Sequence, residues 1–553
     1  MRSVVWVALV VACGWWVAEA RGQSVERPRP EAWKDLVYGG RFMDRFLPMP
    51  VQGPLTRETW GADNVVPRYL ENGLEDRQWS YWGGNALLGP DGKYHLFVCR
   101  WREDSQRGHH EWPRSLVVHA VAERSTGPYK VKDTVGSGHN PEVFRLKDGR
   151  YVVYVYKGYY LADSVDGPWE RKEFQFNPRD RRIIEGLSNL SFARREDGSY
   201  LMVCRGGGIW FSETGISPYN QVTDRRVYPP VEGNFEDPVV WRTPIQYHMI
   251  VNDWRGRIAY YLRSKDGIHW KVEPGEAYMP GIARYEDGTV VDWFKYERIK
   301  VLQDKYGRAT QAHFAVIDVL KNDDKGSDNH SSKHICIPLT VGRLLTILDE
   351  EPITAATKTI HVKIAAEDNF NPHTDIDLTS LRFGASEEVN FGRGSKMARV
   401  ETAGDDLIVT FDGAGHGLTE DNFAAKLLGR TRDGKLLFGY ARLPGVNYLE
   451  PALSARLPRF AKNENGFDVT VEVQNFGQVA SEPADIEIVY RKNDRDVVVA
   501  DGKVGPLEPF EKTTVQMTCG NLFEVATEYA LTVIINPDAR HPVTLEGRAT
   551  PVP

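Results

Sequence analysis

A side chain that moves protons near neutral pH is a carboxylate, an imidazole, an amine or an activated thiol; an amide can only hydrogen-bond. Four similar segments of this chain each open on one polar residue, at Asn85, Asn140, Asn189 and Asp237, at intervals of 55, 49 and 48 residues. Only Asp237 among them can exchange a proton, and Glu236 precedes it. Adjacent strand residues face opposite sides, so one of the two is expected to face a shared site. Asp237 is the candidate base; the competing reading is an Asp that steadies its strand by bonding neighbouring amides. His139 stands beside Asn140, and Asp44 (in GRFMDRF) and Glu75-Asp76 offer carboxylates from the preceding segment. Each segment also ends its second strand near a cation: Arg100, Lys157, Arg205 and, after Asp253-Trp254, Arg255. Converging, they would bind oxyanions, for which the Arg fork is suited; otherwise they are solvated strand ends. Trp79, Tyr81 and Trp82 would either stack on a flat ligand or fill the core.

The elements that must position these groups are short strands. WGGNALLGPDGKYHLFVCR, GHNPEVFRLKDGRYVVYVYKG, LSNLSFARREDGSYLMVCRGG and FEDPVVWRTPIQYHMIVNDWRG share one grammar: polar residue, apolar strand, turn, alternating strand. Asp-Gly makes the turn in the first three. An outer-strand marker follows each: Gly127-Pro128-Tyr129, Gly167-Pro168-Trp169, Pro218-Tyr219, and Gly267 with Trp270. A period near 50 with about four strands per unit is the signature of a β-propeller. A less regular fifth unit runs from Glu286 to Asp318, and residues 33–80 are expected to add a closing strand and a loop over the pocket mouth. After Thr340 the pattern changes. The expectation is an all-β chain: a five-bladed β-propeller over 30–345, then two Ig-like β-sandwiches over 350–450 and 458–553, joined by the linker Pro451–Pro458.

The chain has 553 residues, with 41% hydrophobic, 26% charged and 11% aromatic side chains, which excludes global disorder and a coiled coil. A formal net charge of −7 argues against a general nucleic-acid binder. Arg2, the apolar run Val4–Val17 and Ala18-Glu19-Ala20 read as a signal peptide over 1–20, with a lipoprotein box ending at Cys13 as the alternative. Either predicts a secreted or periplasmic protein. No later segment reads as a membrane span.

The DP-x-V opening at Asp237-Pro238-Val239-Val240-Trp241, Pro141-Glu142-Val143-Phe144, the SVDGPW outer strand and Glu297-Arg298 before the DKYGR turn resemble the furanosidase-type glycoside hydrolases of families 43, 32 and 117. The likeness covers about residues 80–345; the last module resembles the adhesion-type sandwiches of secreted bacterial enzymes. The resemblance implies hydrolysis by Asp, Asp and Glu at the first three blade openings, as base, pKa modulator and acid. This sequence departs there: Asn85, Asn140 and Asn189 fall near those positions, and amides cannot replace them. The resemblance also allows a late-blade His, here His313, as general acid; a core His bonded to a carbonyl is the alternative. Glu185 (IIEGLSN) is similar to the family acid motif but lies four residues early against the turn.

No Cys/His spacing for zinc, phosphate loop or nucleophile elbow is present; Gly206-Gly207-Gly208 follows a strand but no helix follows it. No cofactor is expected, and a structural Ca²⁺ on the propeller axis would have only three amides and one carboxylate to hold it. The expected function is an exo-acting glycoside hydrolase, inverting by resemblance, on an anionic (sulfated or uronate) glycan. Asp237 would be the base and His313 or Asp44 the acid, with Asn85, Asn140, Asn189, His139, Trp82 and the four cations binding substrate. A non-catalytic carbohydrate-binding protein is the rival reading. Oligomeric state is not legible.

Overall fold

The computed structural model describes residues 24–56, 65, 67–184, 186–216, 218–492, 495–539 and 541–553. The signal-peptide and Cys13 readings, and Glu185, lie outside the described residues. The chain is all-β, and its described helices are no longer than seven residues. Among the described residues no helix is long and apolar enough to cross a membrane.

Five sheets, antiparallel but for one parallel edge pair in the third (Phe176–Asn177 with Tyr219–Gln221), follow one another through the first two thirds of the chain. The first holds Trp79–Leu88, Tyr94–Arg102, Leu116–Ala122 and Lys130–Ser137, and the second starts at Glu142–Arg145. The third starts at Ser191–Arg194, the fourth at Phe235–Arg242, and the fifth holds Lys295–Gln303, Ala309–Ile317 and Ser332–Pro338. Each sheet shares an apolar cluster with the next. Phe97 and Val117 pack with Val143 and Val153, Tyr154 with Phe192, Val203 with Val240, and Trp241 with Phe314. Trp82 and Trp101 of the first sheet pack with Ala315 and Ile317 of the fifth, which returns the sequence of contacts to its start. Leu74 bridges to His334, tying the segment before the first sheet to the last strand of the fifth. This arrangement is propeller-like, and it sets the openings of the five sheets around one centre.

Those openings share a backbone feature. Asn140, Asn189, Asp237 and Arg298 have φ of 54°, 52°, 55° and 53°, a left-handed conformation that costs a side-chain-bearing residue energy. The pairing register breaks there too, between Glu236 and Val239 and between Glu297 and Lys300. In the first sheet the break lies between Trp82 and Asn85, and Gly83, φ 64°, takes the left-handed position. Gly83, not Asn85, is therefore the counterpart of Asn140.

Residues 343–442 depart from the expected sandwich. Seven strands, from Arg343–Ile347 to Leu436–Arg442, form a closed barrel around Val362, Phe383, Val409 and Leu427. Closure comes from the parallel pairing of Arg343 with Gly439 and Leu344 with Tyr440. A boundary at 345 assigned that closing strand to the preceding domain, and period-2 alternation reads alike in a barrel and a sandwich. Residues 453–549 form two four-stranded sheets whose inward residues, among them Val469, Val471, Val473 and Ile486, Ile488, Val533, share one core.

Candidate active site

The left-handed openings meet in a chain of polar contacts. Asn140 Nδ2 donates to Asn189 Oδ1 at 2.8 Å, and Asn189 Nδ2 donates to Asp237 Oδ1 at 2.9 Å. Arg298 closes on the same carboxylate, its Nη1 reaching Asp237 Oδ1 at 2.9 Å and its backbone N–H reaching Oδ2 at 3.2 Å. Beneath lies a second layer, two residues further along each strand. Asn85 accepts from Val143 N at 2.7 Å, Glu142 accepts from Phe192 N at 3.0 Å, and Ser191 Oγ accepts from Val240 N at 3.1 Å. Lys300 pairs with Glu142 and donates to Leu190 O at 3.0 Å, and burial draws its amine down to about 8.

Above this floor opens a cleft of about 770 Å³. The residues just before each left-handed position line it: Trp82, His139, Ser188, Glu236 and Glu297. Trp112, Tyr156, Phe174 and Phe176 supply apolar wall, and Lys157, Arg205, Arg298 and Lys321 supply cations.

Glu236, Asp237 and Glu297 each place a carboxylate oxygen within 4.8 Å of the others. Their environments differ. Asp237 is tied to Arg298, and both are at most 2% exposed. Glu297 pairs with Lys321 and lies 3.6 Å from Lys295. The Glu297 and Glu236 carboxylates hold the Lys321 ammonium above its usual range against the opposing effect of burial. Glu236 is pushed up to about 7 by burial first and the Asp237 charge second, although Arg205 lies 3.2 Å away. The three carboxylates thus separate into one poised to carry a proton near neutrality and two held by cations. His139 leans on Trp112, meets Ser115 Oγ at 3.2 Å, and is kept well below the usual imidazole range by burial.

The expected site residues divide accordingly. Asp237, Asn140, Asn189, His139, Trp82, Lys157 and Arg205 come together at the cleft. Asn85 belongs to the layer beneath and joins two sheets. Arg100 lies over the Trp79 ring, 3.9 Å from its centroid, and Arg255 beside Trp254; neither lines the cleft. The expected four-cation ring is therefore two strand-end cations joined by Arg298 and Lys321. Asp44 accepts from the backbone N–H groups of Gly39 and Arg41 and caps a short helical turn away from the cleft. His313 is fully buried, with Gln311 and Cys336 beside its ring nitrogens.

Strand alternation excluded Glu236 and missed Glu297 as site residues. The bulge at Asp237 cancels that alternation, so both members of the pair reach the cleft. Glu297-Arg298 was visible in the sequence as an opening without Asn. Nothing in the sequence marks Lys321, which comes from a connecting loop.

No protein-family model matches the sequence, and no curated protein matches it. Among solved structures, the chain is similar to a glycoside hydrolase at 10% identity, covering 80% of this chain and 95% of that one, with a TM-score of 0.36. It is also similar to a thermostable family-43 glycoside hydrolase (14% identity, 47% and 93% covered, TM-score 0.30). A third is the GH43 BlXynB protein from Bacillus licheniformis (8% identity, 85% and 89% covered, TM-score 0.33). Scores this low say nothing of chemistry.

Proposed function

We propose that the five sheets are the blades of a β-propeller, that residues 453–549 form a β-sandwich, and that the protein is an exported glycoside hydrolase working at the cleft. The observation that carries the reading is Glu236: a carboxyl poised near pH 7, among ion-paired carboxylates, under an aromatic wall. Glu236 would give its proton to the leaving glycosidic oxygen as the bond to the anomeric carbon breaks. The Glu297 carboxylate would face the oxocarbenium-like transition state. The close spacing of the carboxylates favours retention over inversion, because inverting pairs stand roughly 6.5–9.5 Å apart to admit water. The volume suits a chain end rather than an extended polymer, being within the roughly 300–1,000 Å³ of small-ligand pockets.

Arg298 supports an anionic substrate group. Its Nε and Nη2 are buried and have no hydrogen-bond partner among the described residues, so two donors of one fork remain for a sulfate or carboxylate at the cleft floor. Lys157 and Arg205 add positive charge on the wall.

A panel of neutral, uronate-containing and sulfated glycans tests the proposal. Released product is expected from an anionic member, with Glu236→Gln lowering turnover at least about 100-fold while binding persists. The rival reading, a binding propeller without catalysis, draws on the ion pairs that occupy Asp237 and Glu297. Tight glycan binding by the wild type with no product from any member would establish it instead.

A further inference from the structure

The geometry points to a second site, outside the cleft: we propose that His313, His334 and Cys336 bind one thiophilic, monovalent metal ion, Cu⁺, inside the fifth sheet. Strands Ala309–Ile317 and Ser332–Pro338 run antiparallel with His313 directly opposite Cys336. His334, two residues before Cys336, shares its face of the sheet. One donor atom from each of the three lies within 4.8 Å of the others. His313 Nδ1 and Cys336 Sγ stand 3.3 Å apart. Two ligands of one ion, on bonds of roughly 2.0 Å to nitrogen and 2.3 Å to sulfur, have much the same separation.

His334 is the independent indication. It is fully buried, and neither of its ring nitrogens has a hydrogen-bond partner among the described residues. Buried imidazoles are ordinarily satisfied, so an orphaned one next to a thiol and a second imidazole fits a metal-ligand set.

Charge selects the ion. Leu74, Leu96, Val98, Ala120 and Tyr129 share the apolar cluster of Cys336, and among the described residues none of the three side chains is hydrogen-bonded or ion-paired to a carboxylate or a cation. Cu⁺ with one thiolate and two neutral imidazoles is uncharged overall. A divalent ion would leave an uncompensated positive charge in an apolar core. Loading replaces the Cys336 thiol proton with a metal–sulfur bond and releases that proton to solvent, one per ion, with no change of oxidation state. Because the site is closed, the ion enters as the sheet forms or opens.

The full chain, native and also unfolded and refolded anaerobically, is titrated with Cu⁺ against a chromophoric Cu⁺ chelator. One equivalent is expected to bind, with one proton released. X-ray absorption of the loaded wild type should show one sulfur and two nitrogens around copper. Cys336→Ser and His334→Ala should each weaken binding at least 100-fold, while Cys204→Ser and Cys519→Ser leave it unchanged. The wild-type absorption spectrum decides the matter even if the site variants fail to fold. A parallel titration with Co²⁺ reads the divalent alternative. A sulfur-to-cobalt charge-transfer band with no Cu⁺ uptake would overturn the monovalent assignment, and no uptake of either ion would overturn the site.

Discussion

Glu236 is the group in which burial and a neighbouring charge act in the same direction, both favouring the protonated acid. Its folded pKa of about 7 lies above the ordinary glutamate value of 4.5. Between those values the native state keeps a proton that the unfolded chain has lost, so stability falls as pH rises through the window. Discounted for its 13% exposure, the penalty above pH 7 is about 3 kcal/mol. Glu236→Gln should therefore unfold at higher urea than the wild type at pH 8.5 and at the same urea near pH 4.5. A variant with equal gains at both values would refute the assignment. Arg205 pulls the Glu236 pKa down, so Arg205→Ala should move the alkaline limb of the activity profile to higher pH. A limb that stays put or moves down would place the titrating acid elsewhere. Glu236 was hidden from the sequence because its neighbour looked better. Asp237 was the one carboxylate among the four aligned openings, yet its oxygens are taken by Asn189 and Arg298.

At the scale of the elements, four of the strand openings are linked by this chain of side-chain hydrogen bonds. Asp237 and Arg298 are both almost fully buried, and removing one partner of such a pair leaves the other charge stranded. Asp237→Ala is expected to cost about 3–5 kcal/mol, read as a lowered denaturant midpoint with an unchanged slope. A loss under 1 kcal/mol would mean that this chain of contacts does not hold the openings. The repeat of polar openings was legible because three of the five sheets open on a residue that tolerates left-handed backbone and bonds its neighbour, which suits Asn and Asp. Placing the first of them at Asn85 was wrong by two residues. Glycine fills that position at Gly83, and a missing side chain leaves nothing polar to align.

Across the molecule, the modules are locked by buried polar contacts. Arg179, fully buried, donates to Glu472 Oε1 and Gln474 Oε1, each at 2.9 Å, and to Ser454 O at 2.9 Å. Between the fourth sheet and the barrel, Arg263 pairs with Glu273 at 2.6 Å, and Asn390 donates to the same carboxylate at 2.9 Å. Arg179→Ala should speed proteolytic cleavage within residues 451–458 while turnover at the cleft stays near wild type; an unchanged cleavage rate would show that Arg179 does not fasten the last module. Sequence alone determined the all-β character, the repeat and its polar openings, because alternation and turn chemistry are local and act over a few residues. Tertiary structure decided the barrel, since closure depends on a strand from 343–347 pairing with one from 436–442. It also decided which carboxylates and cations share the cleft. A one-residue bulge turns Glu236 inward, and Lys321 arrives from a loop that carries no periodic signal, so neither could be read from spacing.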